Sequence, residues 1–177
     1  MSLGKPLDDN MSSEKIANLN KYMSIKGHDS QNTVYGFFGP FRFLSNFHVC
    51  RVEYDGLVFG STEAAYMYAK VPKTPELETL RQSFVNMTPS EARKLGQVVP
   101  LVQNWDNTRL SVMYDVNYAK YTGNPDLLAQ LLLLKDCNLV EANWWNDTFW
   151  GECRGVGENN LGKTLMKLCA DLSNENQ

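Results

Sequence analysis

A chain of 177 residues, 43% hydrophobic and 11% aromatic, is long enough to bury one core and too short to expect two, which excludes a disordered or multidomain reading. A formal net charge of −3 excludes a surface that is basic throughout, so any contact with a polyanion would be confined to a local patch. No segment reaches the roughly 20 apolar residues of a membrane span, and the N-terminus lacks a secretory hydrophobic region, so the expectation is a soluble, cytoplasmic protein with no membrane contact.

Residues 1–32 are polar, with "DDNMSSEK" and "GHDSQN" offering little to bury. Ile16, Leu19, Tyr22, Met23 and Ile25 suggest a short docking helix in what reads as an appended tail, and the folded domain is expected over 33–174. "TVYGFF" then reads as a strand. "FHVCRVEYDGLVFGS" reads as a hairpin with Asp55-Gly56 at its turn, the dipeptide that tolerates positive φ. In "STEAAYMYAK", Ser61 or Thr62 caps a helix whose first turn holds Glu63.

"TPELETLRQSFVN" opens with Thr74 as cap and Pro75 at the first helical position. "TPSEARKLGQ" repeats the device, with Thr88 and Glu91 forming a capping box and Gly96 ending the helix. Leu110, Met113, Val116 and Ala119 mark one face of a helix following Asn107, and Asn124-Pro125 starts another through Leu127 to Leu134. "NLVEAN" reads as a last strand, and Leu161, Leu165, Leu168 and Leu172 as the buried stripe of a last helix. The class is α+β, a small sheet covered by several short helices in a single domain.

Cys50, Cys137, Cys153 and Cys169 contain no C-x-x-C pair, and His28 and His48 are the only histidines. That is a poor ligand set for zinc, so reduced thiols, no metal and no cofactor are expected. Two histidines, one of them in the tail, also make a serine–histidine–acid triad implausible, and "GVGENNLG" has the wrong spacing for a dinucleotide loop. What remains is carboxylates, aromatics and amides. Glu63, beside Ala64 and Ala65, is either a surface acid complementing the helix dipole or a carboxylate aimed into a cleft where the alanines leave room. Asp147 is either an Asx-turn residue or a second acid. Trp105, Trp144, Trp145 and Trp150 are core and loop packing or a stacking platform, with Gly151 allowing close backbone approach. Asn159 or Asn160 caps the last helix, which explains one asparagine and leaves the other over.

Six segments in register resemble the YbiA-like, or NADAR, family. They are "FLSNF" (43–47), "STEAAYMYAK" (61–70), "EARKLG" (91–96), "NW" (104–105), "NDTFWG" (146–151) and "NNLGKTLM" (159–166). The helix segment departs from the family pattern S-E-H-x-x-Q-x-x-K, with Ala64 in place of the histidine and Met67 in place of the glutamine; Glu63 and Lys70 keep their places. The resemblance implies the YbiA-like fold and a hydrolase that cleaves an N-glycosidic bond at a ribose anomeric carbon. The implied substrates are riboflavin-pathway ribosylamino-pyrimidine phosphates or ADP-ribose on a nucleobase. It implies Glu63 and Asp147 as the acids and Trp105 and Trp150 as the tryptophan positions. Asn46, Phe47, Lys70, Arg93, Gly151, Asn159 and Asn160 complete the expected substrate-binding set. A nucleic-acid substrate and a module that binds ADP-ribose without turnover stand as alternatives; the net charge argues mildly against the first, and the altered helix favours the second.

Overall fold

The computed structural model describes residues 33–175. The 1–32 segment, including the expected docking helix and His28, lies outside the described residues. The order of elements begins with β1 (Thr33–Tyr35), β2 (Val49–Tyr54), β3 (Leu57–Ser61), α1 (Thr62–Ala69), α2 (Glu78–Ser83) and α3 (Pro89–Leu95). It continues with α4 (Trp105–Thr122), α5 (Pro125–Leu132), β4 (Asn138–Val140), β5 (Ala142–Asn143), β6 (Glu152–Cys153) and α6 (Asn160–Glu175). Two compact units divide the chain, one spanning Asn46–Leu131 and the other combining the segments on either side.

The 46–131 unit is built outward from the hairpin. Asp55 (φ 53°) and Gly56 (φ 76°) form the tight turn, and β2 pairs antiparallel with β3 from Tyr54–Leu57 to Val49–Ser61. Ser61 is both the last residue of β3 and the cap of α1, its Oγ accepting from the Ala64 N–H at 3.1 Å. The chain therefore passes from strand to helix without a linker. α1 packs against both strands, α3 and α4, so every residue from Thr62 to Tyr68 is buried.

Two helical expectations need correction in this unit. Thr74 makes no side-chain cap bond, and 75–86 is a short α-helix flanked by 3-10 turns rather than one helix. α4 begins at Trp105, not after Asn107, and its buried face carries Met113, Val116, Asn117, Lys120 and Tyr121, while Leu110 is exposed. The apolar spacing of three had put Leu110 on that stripe; the helical period of 3.6 drifts away from it. The capping box at Thr88 and Glu91 forms as expected, and Gly96 ends α3.

In the other unit, β1 pairs parallel with β4 (Thr33–Asn138 to Tyr35–Val140), and β5 pairs parallel with β6. "NLVEAN" is thus two short strands broken at Glu141. The α+β class holds, with strands in three two-stranded pairs among the described residues rather than in one sheet. α6 lies against β4 and buries Leu161, Leu165, Leu168 and Leu172, the stripe read from the spacing. No helix among the described residues is long and apolar enough to cross a membrane. All four cysteines are free, Cys153 and Cys169 buried and Cys50 and Cys137 half-buried.

Candidate active site

Six of the expected site residues fall in the 46–131 unit. Glu63, in the first turn of α1, is only 7% exposed, and its N–H donates to the main-chain oxygen of Asn46 at 3.0 Å. It is a buried acid rather than a solvated one. Lys70 lies seven residues on, two helical turns away and on the same face. Burial pushes the Lys70 ammonium below its ordinary range; the negative charge of Glu63 opposes that fall and the positive charge of Arg93 adds to it. Carboxylate, ammonium and guanidinium are therefore electrostatically coupled.

Packing fixes these charges. Lys70 Nζ lies 3.4 Å from the Gly96 oxygen and 5.6 Å from the centroid of the Tyr66 ring. Tyr66 in turn tilts against buried Trp105, with ring centroids 5.2 Å apart. The Arg93 guanidinium stands 5.8 Å from the Phe47 ring centroid, within cation–π reach. Asn46, Phe47, Glu63, Lys70, Arg93 and Trp105 thus belong to one connected constellation: an acid, two cations, an amide and aromatic walls. Ala64 and Ala65 do not open room for a ligand, as read from sequence, because both are fully buried in the chain itself. Met67, at the departed glutamine position, fills the notch at Gly96, where an added Cβ would meet its Sδ at 2.2 Å.

The other five residues belong to the second unit, and each is engaged with the protein itself. Asp147 Oδ1 accepts from the N–H groups of Phe149 (3.2 Å) and Trp150 (2.8 Å), the Asx-turn arrangement. Asn143 clamps the same turn through Asp147, donating to its carbonyl at 2.7 Å and accepting from its N–H at 3.1 Å. Trp150 is half-buried, edge-on to Phe149 at 4.9 Å. Gly151 does make a close backbone approach, but to the chain's own Glu141 carbonyl, which an added Cβ would meet at 2.2 Å.

The second asparagine also finds its explanation here. Asn159 adopts φ 53° and is buried; its Oδ1 accepts from Glu141 N–H (3.0 Å) and its Nδ2 donates to the Leu139 oxygen (2.9 Å). Both ends of its amide therefore tie α6 to the β4–β5 strand segment, which leaves it ill suited to hold a substrate. Asn160 donates to Glu158 Oε2 at 2.9 Å on the exposed side.

Sequence reasoning missed Tyr66, Asn117 and Met113 in the first unit and Asn143 in the second. Asn117 carried a usable signal: an asparagine four residues after Met113 and next to Val116 falls on the buried face of α4, where a polar group needs a partner.

A family model described as the NADAR domain matches residues 28–173. Among curated proteins, the chain is similar to N-glycosidase Npun_R5314 of Nostoc punctiforme, 28% identical over 143 residues that cover 79% of this chain and 91% of that one. It is also similar to riboflavin biosynthesis protein VVA0006 of Vibrio vulnificus, 29% identical over 73% of this chain but only 35% of the other. The chloroplastic riboflavin biosynthesis protein PYRR of Zea mays is 30% identical over 61% of this chain and 18% of its own length. The chain therefore spans a small part of the riboflavin proteins. Among solved structures, the NMR structure of the E. coli protein YbiA superposes with a TM-score of 0.69 at 29% identity, covering 77% of this chain and 80% of that one.

Proposed function

The chain belongs to the NADAR domain family, and on that premise we propose that it is an N-glycosidase acting on a 5′-phosphorylated ribosylaminopyrimidine of the riboflavin type. The observation that carries the reading is the buried Glu63 carboxylate whose charge acts on Lys70, which also feels the charge of Arg93. Two similarities support it: an N-glycosidase matched over 91% of that protein's length, and riboflavin biosynthesis proteins that carry a similar segment.

The chemistry follows from the charges. As the C1′–N bond breaks, its electron pair leaves with the nitrogen and positive charge builds on the ribose ring. An anionic Glu63 near C1′ stabilises that state more than the neutral ground state. The same carboxylate accepts a proton from the attacking water, whose oxygen bonds to C1′; the departing amine takes up a proton, so atoms and charge balance. Lys70 and Arg93 hold phosphate oxygens, Arg93 with a planar fork suited to them. Trp105, through Tyr66, gives the cluster an aromatic wall.

Incubation with a 5′-phosphorylated ribosylaminopyrimidine should release the free pyrimidine, read by mass. Glu63→Gln, nearly isosteric, should fold normally and lose about 10²–10³ in kcat. Near-normal hydrolysis by a folded Glu63→Gln protein would remove Glu63 from the reaction. An ADP-ribosylated nucleobase offered in parallel decides between the free metabolite and the ADP-ribosyl reading. Tight retention of either compound with no base released on long incubation would favour a binding module.

A further inference from the structure

Asn46 is tied to Glu63 by its main chain, and its side chain is held by Met113 and Asn117 of α4. The Asn46 amide is 7% exposed. Its Oδ1 accepts from Asn117 Nδ2 at 3.3 Å, and its Nδ2 points at Met113 Sδ at 3.2 Å. A thioether sulfur is a weak acceptor, and the amide nitrogen carries two hydrogens. The Asn46 N–H2 group is therefore under-used where it stands, and a sugar hydroxyl or phosphate oxygen is a better partner than the sulfur.

Asn117 decides which way that amide faces. It is fully buried on α4, and its Nδ2 donates to the Met113 carbonyl at 3.0 Å as well as to Asn46. Its own Oδ1 is buried with no hydrogen-bond partner among the described residues. Because Asn117 presents a donor, Asn46 must meet it with oxygen, and the nitrogen end is left with only the weak thioether acceptor. A hydrophobic residue of similar size would pack at this position and leave the Asn46 amide free to flip.

We propose that Asn117 is a positioning residue for the glycosidase site: it locks the Asn46 carboxamide so that Nδ2 is the end offered to a substrate oxygen. The inference rests on the N-glycosidase reading for its reaction, but not for the orientation of the amide.

The test is a double-mutant cycle of Asn117→Ala and Asn46→Ala, assayed on the 5′-phosphorylated ribosylaminopyrimidine. In the native background Asn117→Ala should lower kcat/KM about five- to tenfold, the scale of one misdirected hydrogen bond, mostly through KM. In the Asn46→Ala background the same change should cost less than about twofold, because the residue it acts through is gone. Equal losses in both backgrounds would make Asn117 a packing residue only, and no loss in the native background would overturn the proposal outright. If Asn117→Ala does not fold, Asn117→Ser, which keeps a short donor, is carried through the same cycle. If the native protein binds ribose 5-phosphate but releases no base, the reaction reading fails while the cycle, read in binding constants, still decides the role of Asn117. Absence of both hydrolysis and binding overturns the two together.

Discussion

Lys70 offers a test at the scale of single residues, because its titration reports its neighbours with opposite signs. Burial holds its ammonium low, the Glu63 charge raises it and the Arg93 charge lowers it. Glu63→Gln should therefore move the Lys70 titration to lower pH, and Arg93→Gln should move it to higher pH. A side-chain NMR titration would follow both, and shifts of the same sign in the two variants would break the electrostatic picture. Asp147 is separable in a similar way. Its Oδ1 serves two backbone N–H groups, and an asparagine oxygen can accept both. Asp147→Asn should keep the thermal midpoint and stay within about threefold of native activity; a loss as deep as that of Glu63→Gln would restore Asp147 as a second acid. The family resemblance made Glu63 and Asp147 a pair of acids, while the residues alone also offered Asp147 as an Asx-turn residue. The hydrogen bonds at Asp147 are those of the turn, and which of the two readings holds depends on contacts that spacing does not carry.

Helix and turn elements were legible where a local device forms, the Thr74–Pro75 start being the exception. The Asp55-Gly56 turn, the Ser61 cap, the Thr88–Glu91 box and the leucine stripe of α6 each depend on residues within a few positions of one another. Thr88→Ala should accordingly cost about 1 kcal/mol, measured by denaturant unfolding. What escaped the sequence were close approaches set by distant chain segments. Nothing near Gly151 announces that Glu141 will press its carbonyl against it, nor does anything near Gly96 announce Met67. These two glycines should respond differently to alanine. At Gly96 the obstacle is a flexible thioether that can move aside, whereas at Gly151 it is backbone, so Gly151→Ala should be the more destabilising, by about 1–3 kcal/mol. Equal unfolding midpoints for the two variants would contradict this contrast.

At the scale of the whole molecule, acid stability should owe a visible share to one surface-edge network. Asp55 accepts from Tyr68 Oη (2.8 Å), Lys73 Nζ (2.7 Å) and the buried Arg81 guanidinium (3.0 Å), which also lies over the Tyr68 ring. Burial alone pushes the Asp55 carboxyl up, but these hydrogen bonds and cations outweigh it and hold the group below its usual range. A carboxyl bound less tightly by protons when folded stabilises fully above its unfolded value of about 3.9, and that contribution is lost as pH falls through the folded value. Asp55→Asn should thus be less stable than the native chain at neutral pH, with the gap closing below about pH 4. A constant gap across an acid titration of unfolding would remove Asp55 from the pH dependence. The fold family was readable from six short motifs in register. The division into paired short strands was not, since two- and three-residue strands carry too little pattern to reveal their partners.

The junction at Ser61, where strand ends and helix begins on a single residue, has a consequence for how chains of this kind tolerate length change. An α-helix turns about 100° per residue. One amino acid inserted between Ser61 and Glu63 would swing Glu63 and Lys70 together that far around the helix axis, away from Asn46 and the other neighbours outside the helix. Indels are therefore barred from this joint, and any drift in chain length has to be absorbed at the loops beyond it.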